Sequence, residues 1–178
     1  MRTTDDDTCC FLWLLRHGEA SFHAATDKAR ILTTQGLLDC QQVGEKLSLF
    51  ADNCNAPLPE HIVASPYQRT QQTLNAVLQG LNYSPSSYVS EKLTPNTNVE
   101  DALLMLEGQF NANCNLRSMM IVSHQPLVSY LQAYLVDGDM RQAFNFPMAP
   151  ASLSLLTLPF LAAGLADVRR VWHSPYGY

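Results

Sequence analysis

FLWLLRHGEA, at residues 11–20, passes from a run of apolar side chains directly into Arg16, His17 and Gly18. A short, continuous apolar run that is closed by a glycine is typical of a central strand buried on both faces. In open α/β sheets, ligands bind just beyond the carboxyl ends of the strands. The sequence therefore predicts that Arg16 and His17 lie at a ligand site.

The rest of the chain alternates strand-like and helix-like segments. Further strands are predicted at 61–64, 118–122 and 152–158, with weaker ones around Tyr88 and at 167–172. The spacing of apolar residues predicts helices at 34–50, 66–78, 99–110 and 126–136. This alternation is typical of a three-layer α/β/α sandwich with a mainly parallel central sheet. We expect one domain over residues 1–178, with residues 1–9 as a disordered N-terminal extension.

Composition limits the possible partners and compartments. The net charge is -5 and no Lys/Arg-rich run occurs, which argues against binding to nucleic acid or to a membrane surface. The apolar stretch at residues 9–15 is too short for a secretory signal, and no segment reaches the roughly 20 apolar residues of a membrane span. The cysteines are scattered without zinc-binding spacing, so we expect reduced thiols and a cytoplasmic location.

Two further loops carry side chains that suit an anion. After the second predicted strand, Ser65 is expected to cap a helix, Pro66 to occupy its first position and Arg69 to lie near the end of its first turn. A helix N-terminus attracts anions, and an arginine beside it adds a two-pronged donor for phosphate. A later strand leads into His124. Three strands thus direct their following loops to the same edge of the sheet.

Each of these elements alone has an ordinary interpretation. An Arg-His pair at a strand end is usually a solvated loop, and an arginine on a first helical turn is usually exposed. The convergence of Arg16, His17, Arg69 and His124 on one edge is what favours a shared phosphate site. The remaining histidines have no such neighbours and are interpreted as structural or surface residues: His23, His61 and His173.

Three motifs together resemble the histidine phosphatase superfamily, whose fold is also called phosphoglycerate mutase-like. They are RHG at 16–18, SPxxRxxQT at 65–73 and SH at 123–124, in the family's order and approximate spacing. Further stretches are most similar to the bacterial phosphohistidine phosphatases of that superfamily: LTTQG at 32–36, KLTPN at 92–96 and VSHQPLVSYL at 122–131. The resemblance covers nearly the whole chain.

The resemblance implies a covalent mechanism. His17 would be the nucleophile that becomes phosphohistidine, while Arg16, Arg69 and His124, with Gly18 beside them, would bind the phosphoryl group. Phosphoryl transfer requires an in-line nucleophile and dense positive donors around the equatorial oxygens, which two guanidinium groups supply without Mg²⁺. We therefore expect no metal and no cofactor. The reacting nitrogen of His17 must be unprotonated, so its other nitrogen is expected to donate to a backbone carbonyl or a similar acceptor.

The general acid is where the chain departs from the family. Phosphohistidine phosphatases of this type often have an acidic residue just before LTP, where this sequence has Lys92, with Glu91 one position earlier. Glu19 and Glu91 are the candidate acids, although a one-residue shift on a strand would turn Glu91 to the opposite face. An alkoxide leaving group needs a strong acid, whereas an imidazole that leaves phosphohistidine needs one far less. The sequence therefore favours an N–P substrate.

The nature of the partner follows from the length of the predicted loops. They lack the long insertions that enclose small metabolites in other members, so a phosphorylated side chain of a protein could reach the pocket. The resemblance implies a phosphotransfer domain or a phosphocarrier as the partner. Three alternatives stay open: a phosphomonoesterase for small metabolites that uses Glu19 or Glu91, a non-catalytic module that recognises a phosphorylated partner, and a phosphoglycerate mutase, against which the small size argues.

Overall fold

The computed structural model describes residues 9–81 and 83–173, so residues 1–8 of the expected N-terminal extension lie outside the described residues. The strands are β1 (Cys10–Arg16), β2 (His61–Ala64), β3 (Ser86–Val89), β4 (Ser118–Ser123), β5 (Leu153–Leu158) and β6 (Asp167–Trp172). The α-helices are α1 (Thr34–Cys54), α2 (Gln68–Gly80), α3 (Val99–Ala112) and α4 (Leu127–Asp137). Short 3₁₀ helices lie at Asp27–Ala29, Glu91–Leu93 and Met140–Asn145. Each strand and helix predicted above is present, with ends shifted by a few residues.

Within the described residues, six strands form one sheet in the order β3-β2-β4-β1-β5-β6. The pairs β3-β2, β2-β4 and β4-β1 are parallel, whereas β5 is antiparallel to β1 and β6 is antiparallel to β5. The predicted mainly parallel sheet is confirmed, with an antiparallel edge that the apolar runs did not indicate. The carboxyl ends of β1, β2 and β4 therefore meet at one edge.

Alternate side chains of β1 face the two sides of the sheet. Phe11, Trp13 and Leu15 pack in the core that contains α1 and α2, whereas Leu12 and Leu14 pack with α3 and α4. All of them are buried, as expected for a strand that is covered on both faces. The helices thus form the two outer layers of the predicted three-layer sandwich. In the described part of the chain, none of the helices is long and apolar enough to cross a membrane.

The start of α2 differs from the prediction. The sequence predicts Ser65 as the N-cap and Pro66 as the first helical residue, but the helix begins two residues later, with Tyr67 as its N-cap and no side-chain capping bond. The prediction is wrong because the Ser65 hydroxyl lies 2.8 Å from His124 Nε2 and bonds to that ring instead of to the helix. Arg69 still lies in the first turn of α2.

The turn after β1 packs against the start of α1 at a separation that only glycine allows. A Cβ atom on Gly18 would lie 2.6 Å from Cys40 Sγ and 2.7 Å from the carbonyl oxygen of Gly36. A Cβ atom on Gly36 would lie 2.2 Å from the carbonyl oxygen of Glu19. Since the φ angle of Gly18 is not positive, this close approach, and not an unusual backbone conformation, requires a glycine there. The contact fixes the turn that carries His17.

Candidate active site

The edge where β1, β2 and β4 end brings four predicted residues into one group. Arg16 ends β1 and His17 follows it, Arg69 lies in the first turn of α2, and His124 follows β4. The ring centroids of His17 and His124 are 5.1 Å apart, and Arg69 Nε is 3.2 Å from His17 Nε2. The backbone N–H of His17 donates to the carbonyl of Ser123 at 3.0 Å, which joins the loops after β1 and β4.

Both ring nitrogens of His17 have defined partners. Nδ1 donates to the carbonyl oxygen of Gly18 at 2.7 Å, which fixes the tautomer. Nε2 accepts a hydrogen bond from Arg69 Nε, so it carries a lone pair rather than a proton. Burial lowers the pKa of His17 to about 3, and the charges of Arg69 and Arg16 act in the same direction against the Gly18 hydrogen bond. The ring is therefore neutral at neutral pH.

Arg69 is buried and held by its outer edge. Nη1 donates to the backbone carbonyl of Asp27 at 2.6 Å, and Nη2 donates to the Asp27 carboxylate at 3.0 Å. The guanidinium carbon lies 4.8 Å from the centroid of the Tyr67 ring. A guanidinium has five N–H groups, so beyond these two bonds and the one to His17, Arg69 keeps two N–H groups for an anion.

His124 is neutral and has one nitrogen without a partner. Nε2 lies 2.8 Å from Ser65 Oγ, whereas Nδ1 is buried and has no hydrogen-bond partner in the described part of the chain. Burial, then the neighbouring His17 and the charge of Arg69, lower the pKa of His124 to about 2. When the Ser65 hydroxyl donates to Nε2, Nδ1 carries the ring proton and can donate it to an acceptor.

Arg16 has the same combination of one fixed and one unpartnered nitrogen. Nη1 donates to the carbonyl oxygen of Met148 at 2.6 Å, and among residues 9–81 and 83–173 the buried Nε finds no hydrogen-bond partner. Burial lowers the pKa of Arg16, but a guanidinium keeps its charge in proteins. A buried polar group without a partner costs on the order of 1–3 kcal/mol. An oxyanion that accepts from Arg16 and His124 would therefore be stabilised here.

Gly18 contributes its backbone to the frame of this group. Its N–H donates to Thr73 Oγ1 at 3.1 Å, and its carbonyl accepts from His17. The Thr73 hydroxyl in turn donates to the backbone carbonyl of Arg69 at 2.7 Å. Gly18 thus connects the turn after β1 to α2, and its N–H is used inside the protein.

The candidate acids lie on the outside of the molecule. Glu19 is exposed. The Glu91 side chain is 71% exposed and pairs with Lys28 at 3.4 Å, while Lys92 pairs with Asp101 at 3.0 Å. Within the described residues, no hydrogen bond or ion pair links these side chains to the buried group, and no three His, Cys, Asp or Glu side chains are arranged to hold a metal ion.

Asp27 and Ser65 take positions that the sequence analysis missed. Asp27 holds the outer edge of Arg69 and also pairs with Arg30 at 3.2 Å, while Ser65 orients the ring of His124. An aspartate and an arginine three residues apart in a polar loop indicate only a local ion pair. The sequence contains no signal that joins this loop to Arg69, because the contact depends on the packing of α2 against it.

Comparison with known proteins gives the family. The model of the histidine phosphatase superfamily (branch 1) matches residues 12–93. Phosphohistidine phosphatase SixA of Escherichia coli K12 is 33% identical over 149 residues, which cover 81% of this chain and 84% of that protein. The SixA homolog of Haemophilus influenzae is 32% identical over 144 residues, covering 80% of this chain and 86% of that protein.

A solved structure agrees over almost the full length. The protein histidine phosphatase SixA complexed with tungstate superposes with a TM-score of 0.75 at 28% identity, over 92% of this chain and 97% of that chain. The resemblance drawn from the RHG, SPxxRxxQT and SH motifs is confirmed. On the family model, the relatives and the fold together, the chain belongs to the histidine phosphatase superfamily.

Proposed function

We propose that this protein hydrolyses phosphohistidine on another protein, without a metal ion, through a phosphohistidine intermediate on His17. The observation that carries the proposal is the state of His17, whose Nδ1 donates to Gly18 and whose Nε2 keeps its lone pair. In the first step, a bond forms between Nε2 and phosphorus while the P–N bond of the substrate breaks and its electron pair stays on the substrate imidazole. In the second step, the oxygen of a water molecule bonds to phosphorus while the Nε2–P bond breaks. Its electron pair returns to Nε2, and the protons of the water leave with the phosphate.

The donors around His17 support the transfer of a phosphoryl group. Arg69 keeps two N–H groups, and the buried nitrogens of Arg16 and His124 are unpartnered in the described chain. In phosphoryl transfer, charge spreads over the equatorial oxygens, and these donors would bind it there. Arg69 would turn its Nε–H from His17 to a phosphoryl oxygen, which frees the lone pair for attack. Two guanidinium charges would take the place of a metal ion.

Two further observations support phosphohistidine as the substrate. The relatives in E. coli and H. influenzae are named phosphohistidine phosphatases, and the related SixA structure holds tungstate, an oxyanion with the tetrahedral shape of phosphate. An imidazole leaves phosphorus without a strong acid, and Glu19 and Glu91 are both exposed. The partner that fits this chemistry is a phosphotransfer domain or a phosphocarrier that presents its phosphorylated histidine to the pocket.

The proposal is tested by rapid-quench labelling with a ³²P-phosphohistidine protein. The wild type should release phosphate and carry a transient acid-labile, base-stable label at His17. His17→Ala should abolish both signals, because no other residue is proposed to accept the phosphoryl group. The release of phosphate is compared between untreated and EDTA-dialysed enzyme, which tests whether the reaction needs a metal ion.

His23→Ala is the matched control, since His23 is an exposed histidine in the segment between β1 and α1 that also contains His17. It should keep both the label and the release of phosphate. Binding of the phosphorylated protein without label or release would leave a phosphate-recognition module. Faster turnover of small phosphate esters than of phosphohistidine would favour a general phosphomonoesterase.

We also propose that the protein works in the cytoplasm. Among residues 9–81 and 83–173, the cysteines are all free of disulfides: Cys9, Cys10, Cys40, Cys54 and Cys114. Disulfides form and persist in oxidising compartments, so free thiols suit a reducing one. Fractionation of cells that contain the tagged protein checks this location.

A further inference from the structure

Asp27 lies on the solvent side of Arg69, at the start of the 3₁₀ helix Asp27–Ala29. Its carboxylate accepts from Arg69 Nη2 at 3.0 Å and from Arg30 Nη1 at 3.2 Å. The Asp27 side chain is 54% exposed, whereas that of Arg69 is 4% exposed. The opposite edge of the same guanidinium contacts His17. One guanidinium group therefore separates an accessible carboxylate from the nucleophilic nitrogen.

This carboxylate is ionised at neutral pH. Desolvation opposes ionisation, but the hydrogen bonds from Arg69 and Arg30 outweigh it and hold the pKa of Asp27 below its usual value. A carboxylate has about four lone-pair sites, and the two arginine side chains use one each. Asp27 can therefore accept a further hydrogen bond from the solvent side, but it has no proton to donate.

In-line transfer determines where the leaving group lies. The nucleophile and the leaving atom stand on opposite sides of phosphorus. His17 is buried where β1 ends, so a leaving group opposite Nε2 points outward. The exposed carboxylate of Asp27 lies on that outer side.

We infer, resting on the proposed function, that Asp27 selects the leaving group by accepting a hydrogen bond from the second ring nitrogen of the departing imidazole. The contact favours phosphohistidine in its protonated form. As His17 Nε2 bonds to phosphorus, the P–N bond breaks, its electron pair goes to the substrate nitrogen, and the imidazole leaves neutral with its other N–H still on Asp27. An alkoxide would need a proton, which Asp27 does not carry. One carboxylate thus favours N–P over O–P substrates.

The test compares wild type with Asp27→Asn on a phosphohistidine protein and on p-nitrophenyl phosphate, whose phenolate leaves without protonation. Asparagine keeps the size of the side chain and removes its charge. Losing the charge that binds the imidazole N–H predicts a fall in kcat about tenfold larger on the phosphohistidine protein than on p-nitrophenyl phosphate, because any loosening of Arg69 affects both substrates alike. Asp139→Asn removes a carboxylate that pairs with Arg141 at 2.8 Å, and this control should change neither rate.

The effect of Asp27→Asn on kcat at different pH values is a second measurement. It would not vary with pH if Asp27 only held Arg69 in place. The charged groups around Asp27 are Arg30, Arg69 and Lys28, with Glu91 behind Lys28. The imidazole of the substrate titrates near pH 6.5, a rough value for the free ring. The fall in kcat that Asp27→Asn causes on the phosphohistidine protein should be smaller below about pH 6.5, where solvent protonates the substrate imidazole, and larger above it.

Equal losses on both substrates at every pH would overturn the inference and leave Asp27 as a positioning residue for Arg69. An unchanged rate on the phosphohistidine protein would overturn it as well. Should p-nitrophenyl phosphate be turned over too slowly, the pH dependence decides alone. Failure of the proposed function itself looks different, because the wild type would then release no phosphate from the phosphohistidine protein.

Discussion

His17 and His124 are neutral because they are buried beside arginines, and this makes the stability of the fold depend on pH. Burial is the main cause that lowers their pKa values, to about 3 and about 2. In the unfolded chain, a histidine titrates near pH 6.5, a rough reference value. As pH falls below that value, the unfolded state binds protons that the folded state does not. The free energy of unfolding therefore decreases as pH falls from about 6.5 towards about 3.

We expect the free energy of unfolding to fall less steeply with pH in His124→Gln than in the wild type. Each buried neutral histidine contributes up to about 1.4 kcal/mol per pH unit in this range, and the variant lacks one of them. Urea titrations at several pH values measure the slope. The exposed His23 provides the control His23→Gln, which should keep the wild-type slope. Identical slopes in all three proteins would show that His124 is protonated in the fold.

At the level of secondary-structure elements, the contact between the turn after β1 and the start of α1 is the tightest constraint near the site. We expect Gly36→Ala to destabilise the protein by about 1–3 kcal/mol, a typical cost of overpacking, because its Cβ would lie 2.2 Å from the Glu19 carbonyl. It should also lower kcat, because this turn carries His17. Urea denaturation and phosphatase assays measure the two effects.

Gly108→Ala is the matched control for that prediction. Gly108 lies in α3, and a Cβ atom there meets nothing within 4 Å. Alanine is a better helix former than glycine by about 0.5–1 kcal/mol, so this variant should be slightly more stable with unchanged activity. If both variants gain stability, the close approach at Gly36 is not a constraint.

The candidate site carries positive charge although the molecule as a whole is negatively charged. The net charge is -5, yet Arg69 contacts His17, and the charge of Arg16 acts on both His17 and His124. We expect dialysis against EDTA to leave the rate on a phosphohistidine protein within about twofold of the untreated rate, since guanidinium groups can stabilise the transferred charge. Restoration of a lost rate by added Mg²⁺ or Zn²⁺ would contradict this prediction.

Much of the architecture could be predicted because its signals are local. The apolar run at residues 11–15 marks a strand that is covered on both faces, and three loops with Arg or His meet where the sheet predicts. The direction of a strand in the sheet has no such local signal. Leu153–Leu158 has the same apolar character as β1, yet it runs antiparallel to β1.

The details of the site depend on contacts between distant residues, which the sequence does not display. Ser65 has the properties of an N-cap, but the tertiary contact with His124 takes its hydroxyl. Asp27 lies in a polar loop without periodicity, and its role follows from where α2 carries Arg69. A hydrogen bond across 42 or 59 positions of the chain becomes visible only after folding.

The hydrogen bond from Arg69 to His17 makes the reactivity of the resting protein conditional. A neutral electrophile that enters the pocket meets a nitrogen whose lone pair is already engaged, and it has no charge with which to draw the guanidinium away. In the proposed mechanism, a phosphoryl group brings that charge, and its binding frees the lone pair of His17 Nε2. On that mechanism, the same contact would keep His17 from reacting with neutral electrophiles and would make it reactive only towards anions.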